Sequence, residues 1–328
     1  MKKWIRVTAA MLLLLIGLCG CMDGSLWEMY QLCRALSAYT ETSASVRYDY
    51  PVEDCTGLTK TGRSVTLVNN RLMEDTRPRY GLGTCHTLSG EQTVVLFFMD
   101  DDESRWTKED VIDFTDQKIL PALDFLEKQA QSWGVELDFT VKRYSTALSG
   151  GLQMTYGGSV IKDLNVSGST KDLPAQIAAL MGCDRDDALL RALMEEFETE
   201  SVIPLMLLNK DGVAYARAQL SPGLGGHVEH AVVFADHLGH PAGSWRRMSR
   251  REATVAHEIL HLFGAEDYYL DEGRIRLAEK YYPNDIMLLD TFRLSRLTVD
   301  AYTGYCVGWT DEVPAICSEE AWYETYEG

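Results

Sequence analysis

Apolar and polar positions divide the chain into an apolar leader, a loosely patterned stretch and a long region of well-marked strands and helices. Val7 to Leu18 is almost wholly apolar. Residues 22 to about 90 carry one short amphipathic helical pattern, Leu26 to Tyr39, and then turn-rich sequence through Gly81-Leu82-Gly83. The pattern sharpens at Thr93-Val94-Val95-Leu96-Phe97-Phe98-Met99, an unbroken apolar run that suits a strand covered on both faces. Thr107 to Trp133 has helical periodicity, with a break expected at Pro121, which has no N–H to donate. Val135 to Val141 alternates strictly and predicts a half-buried strand. A polar, Gly-rich insertion with two helical segments follows, around Leu173 to Met181 and Asp186 to Glu198. Val202 to Leu208 reads as a strand whose Pro204 points to a strand start or a sheet edge. Asn209-Lys210-Asp211-Gly212 has hairpin-turn composition, Val213 to Leu220 would return from it, and Ala231 to Ala235 is one more short strand. Strands alternating with helices predict an α/β unit. The expected organisation is a leader over 1–20, a stalk or small subdomain over 21–90 and one main domain over 91–328.

The leader sets the expected compartment. Met1-Lys2-Lys3-Trp4-Ile5-Arg6 is a basic n-region, and about a dozen apolar residues suit a signal-peptide core better than a bilayer span. The leader closes with Leu18-Cys19-Gly20-Cys21, which resembles the bacterial lipobox, so Cys21 is expected to carry lipid and become the mature N-terminus. A bacterial lipoprotein would then sit outside the cytoplasm, tethered to the cell membrane. Acidic residues outnumber basic ones 49 to 31 for a net charge of −18, and loss of Lys2, Lys3 and Arg6 with residues 1–20 takes it to −21. Such a chain repels phosphate backbones, which argues against a nucleic-acid partner. Cys33, Cys55, Cys85, Cys183, Cys306 and Cys317 then remain, an even number in a disulfide-permissive setting. Cys306 and Cys317 could form a local staple, with free buried thiols as the alternative. No two are spaced C-x-x-C, which disfavours a cysteine zinc site.

The candidate chemistry lies in His257-Glu258-Ile259-Leu260-His261. Ser249-Arg250-Arg251-Glu252 fits a capping box that would start a helix at Ser249. On that helix Val255, Ile259 and Leu262 form one apolar stripe and Ala256, Leu260 and Phe263 another, so it should be buried. His257 and His261 lie one turn apart on one face, where two imidazoles can share a metal while Glu258 reaches a water beside it. Gly264 could end the helix in a left-handed turn, and that turn could return the carboxylate of Asp267 to the histidines.

His257-Glu258-x-x-His261-x-x-Gly264-x-x-Asp267 resembles the extended zinc signature of the metzincin metallopeptidases, with Asp as third ligand as in the snapalysin-like branch. The resemblance implies a zincin-like α+β fold: a twisted mixed sheet, an active-site helix, a methionine turn and a C-terminal helix. It implies Zn²⁺ held by His257, His261 and Asp267, and a protein or peptide substrate. A three-ligand set keeps a fourth position for water, with Glu258 as general base. Asn284-Asp285-Ile286-Met287 would supply the methionine turn, and Leu297 to Val307 the closing helix. The tyrosine that some metzincins place just after that methionine is missing, since Leu288 and Leu289 stand there; Tyr268, Tyr269, Tyr281 and Tyr282 lie nearby.

Several alternatives stay open on the sequence. A gluzincin-type site would take Glu272 or Glu279 as third ligand, and a one-residue shift in the turn would present Glu266. Asp100-Asp101-Asp102-Glu103 could hold a cation, although a solvated loop is the simpler reading. His227 and His230 could bind a second metal or touch substrate, or be ordinary polar surface. In function, a lipid-anchored endopeptidase competes with a surface binding or adhesion lipoprotein that keeps the fold without cleaving.

Overall fold

The apolar run Thr93 to Met99 becomes an inner strand of a five-stranded mixed sheet. The computed structural model describes residues 57–58, 64–68, 71–74, 85–149, 154–155, 169–184, 188–218, 228–247, 251–269, 272–289, 293–319 and 322. The leader with Cys21, the helical pattern at Leu26 to Tyr39, Ser249 and His227 lie outside these residues. A small antiparallel meander comes first, of β1 (Gly57–Leu58), β2 (Ser64–Val68) and β3 (Arg71–Glu74). The large sheet follows, built from β4 (Gly90–Met99), β5 (Leu137–Ser145), β6 (Val202–Gly212), β7 (Tyr215–Arg217) and β8 (His230–His237). Its order is β5-β4-β6-β8-β7, parallel throughout except for β7, which runs antiparallel to β8 at one edge.

The inner strands are covered on both sides, as their unbroken apolar composition predicts. Val94, Leu96 and Phe98 join one core cluster, and Val95, Phe97 and Met99 the other. Helices α1 (Lys108–Phe114), α2 (Leu120–Ser132) and α5 (Arg251–Leu262) pack into the first cluster. Helices α3 (Ser169–Leu180) and α4 (Ala188–Phe197) pack into the second, so the insertion covers a sheet face. Helices α6 (Glu272–Tyr281) and α7 (Ala301–Cys306) complete the described residues near the C-terminal end. Among these residues no helix is long and apolar enough to cross a membrane.

Two local expectations need correction, and two open choices are decided. The helix is not broken at Pro121: a π-helical turn, Thr115–Ile119, joins α1 to α2, and Leu120 N–H donates to Thr115 O five residues back. That widened turn skips one register position just before the residue that cannot donate, so the chain stays helical. Pro204 lies near the start of β6, the first of the two places its proline pointed to, and not on an edge strand: β6 is the middle strand, and β8 joins it only from Leu205 onward, which leaves Pro204 outside that ladder. Asn209 to Gly212 is not a hairpin turn but the end of β6, and the returning strand, β7, pairs with β8 instead. Gly212 is needed there for close approach: a Cβ would lie 2.4 Å from the Phe234 ring. Cys306 and Cys317 form no disulfide; both are buried thiols, as is Cys85.

The acidic loop after β4 is neither a cation cradle nor simply solvated. Asp101 is buried, accepts from Ser104 N at 2.8 Å and pairs with the buried Lys210 Nζ, which also reaches Glu103 at 3.1 Å. A lysine from β6 therefore fills the place a cation would take.

Candidate metal centre

The active-site candidate begins with the anchoring of α5. Arg251, in its first turn, is buried, with Nε donating to Phe234 O at 2.6 Å and Nη2 to Asp236 O at 3.1 Å. These charge-assisted bonds tie the start of the helix to the C-terminal end of β8. Both apolar stripes are satisfied, since Val255, Ala256, Ile259, Leu260, Leu262 and Phe263 are all buried. At the other end Gly264 adopts φ +101°, a conformation that favours glycine. Gly264 N–H donates to His261 O and Ala265 N–H to Leu260 O, so the chain reverses within three residues.

That reversal brings three donor atoms together. His257 Nε2 and His261 Nε2 are 3.0 Å apart, and Asp267 Oδ1 is 3.1 Å from each. Both rings are oriented through their other nitrogen. His257 Nδ1 lies 3.1 Å from Ile286 O and His261 Nδ1 lies 2.8 Å from Ala265 O. A carbonyl can only accept, so each Nδ1 carries the proton, and a neutral ring then keeps its Nε2 lone pair facing the cluster. Backbone carbonyls holding histidines in this tautomer are the usual outer shell of a histidine metal site. Burial disfavours the charged form of His261, but Asp267 outweighs it and raises the ring's affinity for a proton. Burial would likewise raise the Asp267 carboxyl, yet the adjoining His261 and His257, where they take a second proton on Nε2, hold it well below the usual carboxylate range.

The turn beyond the third acid is fixed by a polar joint. Tyr268 N–H donates to Met287 O at 3.1 Å, pairing this loop with the Asn284–Met287 turn. Asp285, fully buried, accepts from Met287 N at 2.7 Å, Asp300 N at 2.7 Å and Thr303 Oγ1 at 2.9 Å. Tyr268 OH meets Thr303 Oγ1 at 2.6 Å, so the histidine-orienting turn, the acid loop and the start of α7 share one network. Burial pushes the Asp285 carboxyl up to about 7, against these three donors. Met287 itself is fully buried in the main core.

The other candidates separate clearly. Glu258 follows His257 on α5 and is buried close to the cluster, its charge acting on His261. Glu266 points away, with Oε2 2.9 Å from Arg274 Nη2 and 3.0 Å from Tyr302 OH. Glu272 is exposed and pairs with Arg276, and Glu279 is exposed as well, so neither reaches the histidines. Of the four tyrosines, Tyr269 is at the site: its hydroxyl is 3.3 Å from His257 Nε2 and its ring stacks on that imidazole. Tyr281 bonds Glu319 at the surface, while Tyr268 and Tyr282 are buried in the core. His230 is not surface: it is buried, with Nδ1 2.6 Å from Val228 O.

Among the described residues, His257, His261 and Asp267 are the one His/Cys/Asp/Glu group whose donor atoms lie close enough to share a metal, within 4.8 Å of one another. Comparison with protein-family models, curated proteins and solved structures finds no match.

Proposed function

We propose that the chain is a lipid-anchored, extracytoplasmic zinc-dependent endopeptidase of zincin-like fold. The observation that carries this reading is the convergence of two Nε2 atoms and one carboxylate oxygen at 3.0 and 3.1 Å, with both Nδ1 atoms committed to carbonyls. Two imidazoles and a carboxylate are a donor set that suits zinc, and His257, His261 and Asp267 would hold the ion. When bound there, zinc supplies Lewis acidity, lowering the pKa of water to ~7 and stabilising negative charge on a polarised carbonyl. Glu258 then has the part of general base: its carboxylate takes the proton from the attacking water and returns it to the departing amine. Glu258 is buried beside the histidine pair, close enough for its charge to act on His261. Tyr269, partly exposed with its hydroxyl 3.3 Å from His257 Nε2, would in this reading donate its hydroxyl hydrogen to a substrate carbonyl.

Purified mature protein is expected to contain one zinc per chain and to cleave members of a diverse peptide library, with chelator abolishing cleavage. Protein that holds zinc but cuts nothing supports the binding-lipoprotein reading, and protein that takes up no zinc overturns the metal site. The anchor has its own check. Cys21→Ala should release the protein from membranes or block its maturation, as read by membrane fractionation and mass of the N-terminal peptide. Membrane association with an unmodified Cys21 overturns it.

A further inference from the structure

Two acids stand side by side in the turn after α5, and only one reaches the histidines. Glu266 and Asp267 are adjacent in the chain, yet their carboxylates face different partners, Arg274 for the first and the two histidines for the second. A one-residue slip would exchange them, and the longer glutamate has the reach to compete. What opposes the slip is a buried ion pair. Arg274, on α6, is fully buried and donates from Nη2 to Glu266 Oε2 at 2.9 Å. The same oxygen accepts from Tyr302 OH at 3.0 Å on α7. Arg274 Nη1 reaches the Asp267 backbone carbonyl at 3.4 Å, so one guanidinium holds both the side chain of Glu266 and the main chain of its neighbour. Trp322, also fully buried, covers the guanidinium at 4.7 Å and accepts from its Nε at 3.3 Å.

A guanidinium so enclosed is an expensive device for stability alone, since an apolar pair of the same volume is often neutral or better. It does give specificity, because the planar fork fixes both the distance and the direction of its carboxylate. We infer that Arg274 is a positioning residue that selects the third ligand: it withholds Glu266 and thereby presents Asp267 alone to His257 and His261. This inference rests on the metal reading above and extends it to the choice between neighbouring acids.

The test measures metal binding, using zinc with a competing chelator and Co²⁺ as a spectroscopic probe. Arg274→Met releases Glu266 and should weaken zinc by roughly 10–100-fold, the range for lost outer-shell partners, and alter the Co²⁺ visible spectrum. Adding Glu266→Met removes the released acid as well. That double variant should return to within about threefold of wild-type affinity and recover the wild-type spectrum, because Asp267 again has no competitor. An unchanged affinity and spectrum in Arg274→Met overturns the inference. So does a double variant as weak as the single, which would make Arg274 plain scaffolding. If Arg274→Met does not fold, Arg274→Lys keeps the charge and loses the fork; it should weaken zinc in the same direction, and an unchanged value overturns the inference equally. Wild-type protein that takes up no zinc overturns the metal reading and this inference with it, whereas wild-type binding with unaffected variants overturns the inference alone.

Discussion

Zinc-loaded Glu258→Gln protein is expected to keep its fold and its metal and to lose turnover by about 10²–10⁴-fold, the usual contribution of a general acid–base group. Glutamine matches glutamate in size and still hydrogen-bonds, but it cannot take a proton from water. Glu258 adjoins His257 yet is not one of the three converging donors, so the metal set should be intact without its charge. The measurement is kcat on a peptide substrate at matched zinc content, since lost metal would imitate lost catalysis. A variant that cleaves as fast as wild type would remove Glu258 from the mechanism. Should neither protein cleave any peptide of a diverse library, the non-catalytic binding lipoprotein becomes the better reading.

Much of the fold was legible because burial on both faces leaves a plain trace. Thr93 to Met99, Val202 to Leu208 and Ala231 to Ala235 are continuous apolar runs, and they form the inner strands β4, β6 and β8. What failed were inferences from single residues. Pro204 left a strand start and an edge both open, and only the packing, which puts it near the start of β6 just ahead of the β8 ladder, chooses the first. Asn209 to Gly212 has turn composition, but Lys210 is drawn into an ion pair and Gly212 lies against Phe234, so tertiary contact overrides local preference. In the candidate site, His257, His261, Gly264 and Asp267 were readable because helical spacing and a glycine turn are local geometry. The groups that orient them were not. Ile286 O and Ala265 O are backbone atoms with no sequence signature, and the Arg274–Glu266 pair joins elements whose packing no local pattern specifies. The parallel and antiparallel pairing of the sheet was likewise beyond local patterns, because pairing is a non-local choice.

Asp267→Ala should weaken zinc binding by more than the roughly 10–100-fold that outer-shell changes cost, because it removes a ligand outright. The removed group is the one anion in the donor set, and the two imidazoles would be left facing each other at 3.0 Å. Asp267→Asn separates charge from shape: it keeps an oxygen at the same reach and should fall between wild type and alanine. Three neighbours serve as controls. Glu272→Ala and Glu279→Ala alter exposed positions on α6 and should leave affinity within a few-fold. Glu266→Ala is more informative, because it removes a carboxylate partner of the buried Arg274 and should lower fold stability while the folded protein retains zinc. Stability lost without affinity at 266, and affinity lost at 267, would separate two adjacent acids by what each faces. The outcome that sinks this assignment is zinc lost from Glu279→Ala or Glu272→Ala and retained in Asp267→Ala. The ligand would then come from α6, and the gluzincin-type arrangement would replace the metzincin-type one.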